Sequence, residues 1–210
     1  MTQSRRGGAS PVETVDLLRA IYTVGLREGG VKAGGVRKRL GVAEASIRNA
    51  LRDAAGKKLI KEGEGLVELT PAGRRRLKVV MLGGAFEIIH PGHVHALSEA
   101  RSLGNTLVVV VATDQSVEKN KGRPPVTDQA SRVGLVSSLR QVDLALPGNK
   151  GSIYEILLRI RPDIVALGYD QRLAGEEVVR EAAKRGVRIT TARLGTQMPD
   201  VKTSKILFSM

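Results

Sequence analysis

The sequence predicts an α/β protein in which a Rossmann-like parallel sheet domain follows a small helical domain closed by a β-hairpin. Three observations carry this expectation. From residue 79 onward, strand-like and helix-like segments alternate. Residues 106–112 read TLVVVVA, a continuous β-branched run of the kind that a strand buried on both faces requires. The pattern also breaks at Arg74-Arg75-Arg76-Leu77-Lys78, where a basic stretch gives way to the apolar Val79-Val80-Met81-Leu82. The domains are therefore drawn at 1–78 and 79–210, with almost no linker between them, no internal repeat and no low-complexity tract.

In the first domain, Ser10-Pro11-Val12-Glu13 reads as a helix start, with Ser10 as N-cap, Pro11 at the first helical position and Glu13 closing a capping box. Val12, Val15, Leu17, Leu18 and Ile21 supply an apolar stripe, and Gly29-Gly30 ends the helix. A short helix over residues 35–40 stops at Gly41. A third, over 42–58, turns Ile47, Leu51 and Ala54 inward and leaves Arg48, Arg52, Lys57 and Lys58 outside. Two alternating strands around Gly63-Glu64-Gly65 make a hairpin, and Thr70-Pro71-Ala72-Gly73 caps a last short helix. This order resembles the winged helix-turn-helix of prokaryotic regulators over nearly all of residues 10–78. The resemblance makes 44–58 the recognition helix, with Ser46, Arg48, Asn49 and Arg52 as the candidates for DNA base edges and phosphates. A dimerisation or packing module is the alternative reading of the same domain.

In the second domain, strands are expected at 79–82, 106–112, 143–146, 163–167 and 188–194. Helices are expected at 92–102, 128–139, 152–160 and 175–185, with a short one from Thr203. Five strands alternating with helices imply right-handed crossovers and ligand binding at the strands' carboxyl ends.

Composition narrows the function. The 210 residues are 41% hydrophobic but only 2% aromatic, so the core must be aliphatic. No apolar run reaches the ~18 residues of a membrane span. Arg5 and Arg6 are not followed by a signal-type apolar segment, so the expectation is a soluble cytoplasmic protein without membrane partners. There is no cysteine, which excludes disulfides, thiolate metal sites and thiol nucleophiles. The net charge is +13. Residues 1–78 hold 17 Lys and Arg against 8 Asp and Glu, or +9, leaving +4 for the second domain. The excess thus points to nucleic acid only for the first domain.

The chemistry lies in the loop after the first strand of the second domain, Gly83-Gly84-Ala85-Phe86-Glu87-Ile88-Ile89-His90-Pro91-Gly92-His93. It is not the G-x-G-x-x-G dinucleotide fingerprint, which argues against a dehydrogenase. His90, His93 and His95 are the chain's three histidines, within six positions. Their spacing, with no nearby Cys or Asp, fits no common zinc pattern, and His95 lies on the helix beyond the motif. His90 and His93 flank Gly92 at a helix start, where free N–H groups attract phosphate and glycine admits close approach. Two imidazoles there can stabilise charge that builds on an α-phosphate.

The segment from Gly84 to His93 resembles the G-x-F-D-x-x-H-x-G-H signature of cytidylyltransferase-like nucleotidyltransferases. Its HxGH core is also similar to that of class I aminoacyl-tRNA synthetases, but the small size favours the former. With Lys121-Gly122-Arg123-Pro124-Pro125, the resemblance is strongest to the archaeal FAD synthases, which transfer AMP from ATP to FMN with release of pyrophosphate. A cytidylyltransferase using CTP and glycerol 3-phosphate is the alternative, and a transcription regulator with a nucleotide-sensing domain is a second. The resemblance implies His90, His93 and Lys121 as catalytic residues. It implies Gly84, Ala85, Phe86, Gly92, Arg132, Gly168, Asp170, Thr203 and Ser204, beside the two histidines, as nucleotide-binding. Glu87, Lys119 and Arg123 would meet the acceptor, the two basic residues from a loop after the second strand. Mg²⁺ would ride on the phosphates, and no protein metal site is expected. A homodimer is compatible with the family. Two departures stand out: Glu87 replaces the usual Asp, and Lys202 stands where many members carry Arg.

Overall fold

The computed structural model describes residues 11–169, 171 and 174–195. The chain divides between Leu77 and Lys78 into two compact units.

The first unit begins with α1 (Thr14–Glu28), α2 (Ala33–Leu40) and α3 (Glu44–Gly56). The expected start of α1 is corrected. Pro11 and Val12 precede the helix, and Glu13 is its N-cap, with extended dihedrals and a carbonyl that accepts from Leu17 N at 3.0 Å. The helix needs only one turn before its first buried residues, Leu17 and Leu18, and Asp16 in that turn suits the positive end of its dipole. Ser10 lies outside the described residues. The helix ends on Gly29 and α2 on Gly41, both left-handed, which glycine adopts without steric cost. Ile47, Leu51 and Ala54 of α3 are buried, as their spacing requires.

Strands β1 (Ile60–Gly63) and β2 (Leu66–Leu69) form an antiparallel hairpin, turning through Glu64 and Gly65, both at positive φ. That is the two-residue turn whose twist matches the strands. Helix α4 (Pro71–Arg74) follows, capped by Thr70, whose hydroxyl accepts from Gly73 N and donates to Lys58 O. Gly73 has no room for a side chain: a Cβ there would lie 2.0 Å from Leu59 O. Gly73→Ala is therefore expected to destabilise the first unit by about 2 kcal/mol or more through displaced backbone. Denaturant unfolding of the full chain measures this, and an unchanged midpoint would refute it.

The second unit is built on five parallel strands in the order β5-β4-β3-β6-β7: β3 (Val79–Gly84), β4 (Thr106–Val111), β5 (Leu144–Pro147), β6 (Ile164–Leu167) and β7 (Thr190–Arg193). Every residue of β4 is buried, as expected of its apolar run. Helices α5 (Pro91–Ser102), α7 (Gln129–Ser137), α8 (Ile153–Ile160) and α9 (Gly175–Lys184) connect the strands. The core joins Val80, Leu82, Leu97, Leu107, Val109 and Val136. The parallel α/β sheet expected from the sequence is present. The residues of the expected C-terminal helix from Thr203 lie outside those described.

One connection differs from expectation. Residues after β4 form a helix, α6 (Asp114–Lys121), capped by Thr113 and ended by a left-handed Gly122. Lys119 and Lys121 therefore sit on its last turn and not in a loop. Only Val117 of this helix is buried, so it carries almost no apolar periodicity. The chain runs outward from β3 to β4 and β5, then crosses back to β6 on the other side of β3. That reversal opens a crevice at the carboxyl ends of the strands. No described helix is long and apolar enough to cross a membrane.

Candidate active site

The site is assembled where β3 ends. Gly84 closes the strand, and its carbonyl accepts from Ala112 N at 2.9 Å. A Cβ on Gly84 would stand 2.7 Å from the Phe86 ring, so the glycine is what lets that ring fold back over the strand end. Phe86 is buried and held at φ 52°, an uncommon conformation for a bulky residue and one that its burial sustains.

His90 is the extended N-cap of α5, Pro91 its first helical residue, and His93 N donates to His90 O at 2.9 Å. Three residues apart on one turn, the two imidazoles stack with centroids 3.9 Å apart and planes inclined by 29°. The Phe86 ring lies 5.1 Å from that of His93. Half-buried Gly92 sits between them in the first turn, whose N–H groups lack intrahelical acceptors. Burial first, and the positive charge of Lys121 second, hold the His90 pKa below its ordinary value. The His90 Nδ1 is buried without a hydrogen-bond partner among the described residues. His95 is exposed further along the helix.

Glu87 is the electrostatic centre of the loop. Its side chain is fully buried and ion-paired with both Lys121 and Arg123, the latter at 2.9 Å, and Val126 N donates to it at 3.2 Å. Burial alone would raise its pKa, but the hydrogen bonds from Lys121 and Arg123 outweigh it and hold the pKa below the usual carboxylate range. The structure thus brings together Glu87, Lys121 and Arg123, while Lys119 is exposed on α6.

Arg132 is placed differently from a ligand-facing residue. Its side chain is fully buried and donates to Ala85 O, to Ala112 O at 2.8 Å and to Thr127 O at 3.1 Å, while pairing with Asp114 at 2.6 Å. It ties the β3 loop to the start of α6 and to the entry of α7. It therefore acts on the site through the backbone it holds.

Three polar residues absent from the sequence-derived site shape its rim. Gln171 donates to Gly83 O at 2.8 Å and accepts from Gly168 N at 3.1 Å, linking the ends of β3 and β6 across the switch point. Arg193 donates to the carbonyls of Gly168 and Gln171 at 2.8 and 2.7 Å. Gln129 donates to Val111 O and Gly148 O, joining the ends of β4 and β5. Gln171 follows Gly168 and Asp170, both named from the sequence as nucleotide-binding, and that proximity in the chain is the available signal. Asp170, Thr203 and Ser204 lie outside the described residues.

Beside the loop a cleft of about 490 Å³ opens between the strand ends, α6 and the β5–α8 connection. No group of three or more His, Asp or Glu among the described residues could hold a metal ion. Glu87 is committed to its two cations and Asp114 to Arg132.

In the first unit, Arg48, Asn49 and Arg52 are exposed on α3 and Ser46 is half-buried. Arg48 pairs with Glu44 one turn earlier, at 2.9 Å, with both side chains largely in solvent.

Comparison with known proteins places this geometry. The family model described as Cytidylyltransferase-like matches residues 81–207, more than half of the chain. The FAD synthase of Aciduliprofundum boonei is 46% identical over 115 residues, which are 55% of this chain and 76% of that protein. The FAD synthase of Thermococcus onnurineus is 42% identical over 138 residues, 64% of this chain and 92% of the relative. Among solved structures, the lipopolysaccharide core biosynthesis protein from Thermoplasma volcanium superposes with a TM-score of 0.55 at 39% identity, over 58% of this chain and 98% of that one. With its glycine-ended first strand and its stacked histidines at a helix start, this chain belongs to the cytidylyltransferase-like family.

Proposed function

We propose that the protein is an FMN adenylyltransferase, a nucleotidyltransferase that joins AMP from ATP to FMN and releases pyrophosphate. The observation that carries this reading is the His90–His93 stack at the N-terminus of α5, beside Lys121. Curated relatives named FAD synthase, 35–46% identical, support the choice of ATP and FMN. A phosphate oxygen of FMN forms a new bond to the α-phosphorus, and the bond to the β-phosphate oxygen breaks as pyrophosphate departs. His90 and His93, with the helix N–H groups, stabilise charge gathering on the α-phosphate. Lys121 neutralises phosphate charge, and Arg132 holds the loop on which the reacting groups are aligned. A divalent cation would supply further neutralisation of the phosphate charge. The test is FAD and pyrophosphate formation from FMN and ATP by the full chain, with CTP and glycerol 3-phosphate as the competing pair. Turnover of the competing pair alone would overturn the assignment.

We further propose that the first unit is a winged helix-turn-helix that contacts duplex DNA through α3. Three helices, a hairpin and the exposed Arg48, Asn49 and Arg52 support this. An exposed ion pair such as Glu44–Arg48 is worth only about 0.3–0.5 kcal/mol and yields readily to a phosphate. Replacing Arg48 and Arg52 by alanine is expected to weaken duplex binding and to lower its salt slope by about 2. Fluorescence anisotropy at several salt concentrations measures both quantities, and absence of wild-type binding at low salt would retire the proposal.

A further inference from the structure

Phe86 is out of character for the core it joins. Among the described residues that core is aliphatic apart from this one ring, and the chain has two phenylalanines and no tryptophan. Filling the volume needs no more than a leucine. The position instead keeps an aromatic side chain on a backbone at φ 52°, where a bulky residue is strained. The strand end is shaped around the ring as well: a Cβ on Gly84 would lie 2.7 and 2.9 Å from two of its carbons. Arg132 holds the carbonyl of Ala85, the residue immediately before Phe86. Strain kept in place by a glycine and a buried arginine marks a side chain whose direction matters as well as its size.

What the ring meets is His93. The two centroids are 5.1 Å apart and the planes inclined by 48°, inside the range of roughly 4.5–7 Å in which tilted aromatic pairs attract. A histidine ring needs such neighbours, because its second side-chain torsion is broad and roughly two-fold and fixes neither the plane nor the leading nitrogen. A donor aimed at developing charge tolerates only about 10–20° of error. His90, stacked on His93 at 3.9 Å, lies at the start of the same helix. Phe86 comes from the loop after β3 and refers the imidazole to the sheet.

We propose that Phe86 is a positioning residue for the transfer reaction, its ring setting the plane of the His93 imidazole. The inference rests on the functional reading above, in which His93 meets charge developing on the α-phosphate. Phe86 is 4% exposed, so its side chain acts through His93 and not by contact with either substrate.

A double-mutant cycle in the full chain tests this. Phe86→Leu and, as a second variant, Phe86→Met keep most of the volume, and neither branches at Cβ, so both accept the backbone that phenylalanine accepts. Each is expected to lower kcat for FMN adenylation about tenfold in the otherwise wild-type chain. Affinities for FMN, read by flavin fluorescence quenching, and for ATP, read by calorimetry, should stay within about twofold. In a His93→Ala chain the same substitutions should change the residual kcat by no more than about twofold, because the ring they steer is gone. A merely structural role would lower kcat by the same factor in both chains, and that result would overturn the proposal. So would wild-type kcat in the folded variants, or thermal melting that shows both variants unfolded. A wild-type protein that forms no FAD from FMN and ATP overturns the adenylyltransferase reading itself, and this inference with it.

Discussion

Replacing His93 by alanine is expected to lower the turnover of FMN adenylation by about 10²–10³-fold, the cost of removing one well-placed donor to a developing charge. The ring sits in the first turn of α5, stacked on His90 at 3.9 Å and beside Phe86, so its orientation is set by packing before substrate arrives. An interaction made mainly in the transition state lowers kcat and kcat/KM together and leaves substrate KM nearly constant. His93 is half-buried at a helix start, so its truncation should leave the melting temperature within a few degrees of wild type. Steady-state kinetics paired with thermal melting separates the two effects. Turnover near the wild-type level would sink the assignment of His93, and a matching fall in stability would make the lost turnover a folding defect.

What the sequence makes legible here is what local chemistry determines. The β-branched run of β4 can be buried only inside a sheet, and all six of its residues are buried. Gly29 and Gly41 end helices because only a residue without Cβ takes the left-handed conformation at no cost. The His90–His93 pair is legible because both residues lie within one helical turn. Helix α6 is not legible from periodicity, since one buried valine makes no stripe. Its boundaries are nonetheless written in Thr113, which accepts from Ser116 N, and in Gly122. The start of α1 is misread for the converse reason, because Ser-Pro is a strong local signal that no buried face there supports. Longer separations defeat the sequence altogether. Glu87 meets Lys121 and Arg123 across 34 and 36 positions, and Gln171 meets Gly83 across 88. Residue type announces charge at these positions, but only the strand order decides which charges face one another.

Arg132→Met is expected to destabilise the second unit by about 3 kcal/mol, the cost of leaving carbonyl acceptors without their donor at about 1–3 kcal/mol each. Four hydrogen-bonding partners depend on this guanidinium: the carbonyls of Ala85, Ala112 and Thr127, and the Asp114 carboxylate. Methionine preserves much of the volume and none of the donors, so the loss isolates hydrogen bonding from packing. Asp114 is about half-exposed and recovers water in the variant, so the penalty falls chiefly on the three carbonyls. Arg132→Lys should recover only part of the loss, because one ammonium cannot span acceptors drawn from three separate segments. Denaturant unfolding of the full chain measures both variants, and a Met variant within about 1 kcal/mol of wild type would show that the cluster is not what holds the loop. Activity assayed well below the unfolding midpoint supplies the second half of the argument. The Ala85 carbonyl lies between Gly84 and Phe86, and Phe86 in turn contacts His93, so releasing it disturbs the histidine stack without touching either ring. A stable fold with a fallen kcat and an unchanged FMN affinity is the signature expected of a residue that positions the catalytic loop and touches neither substrate.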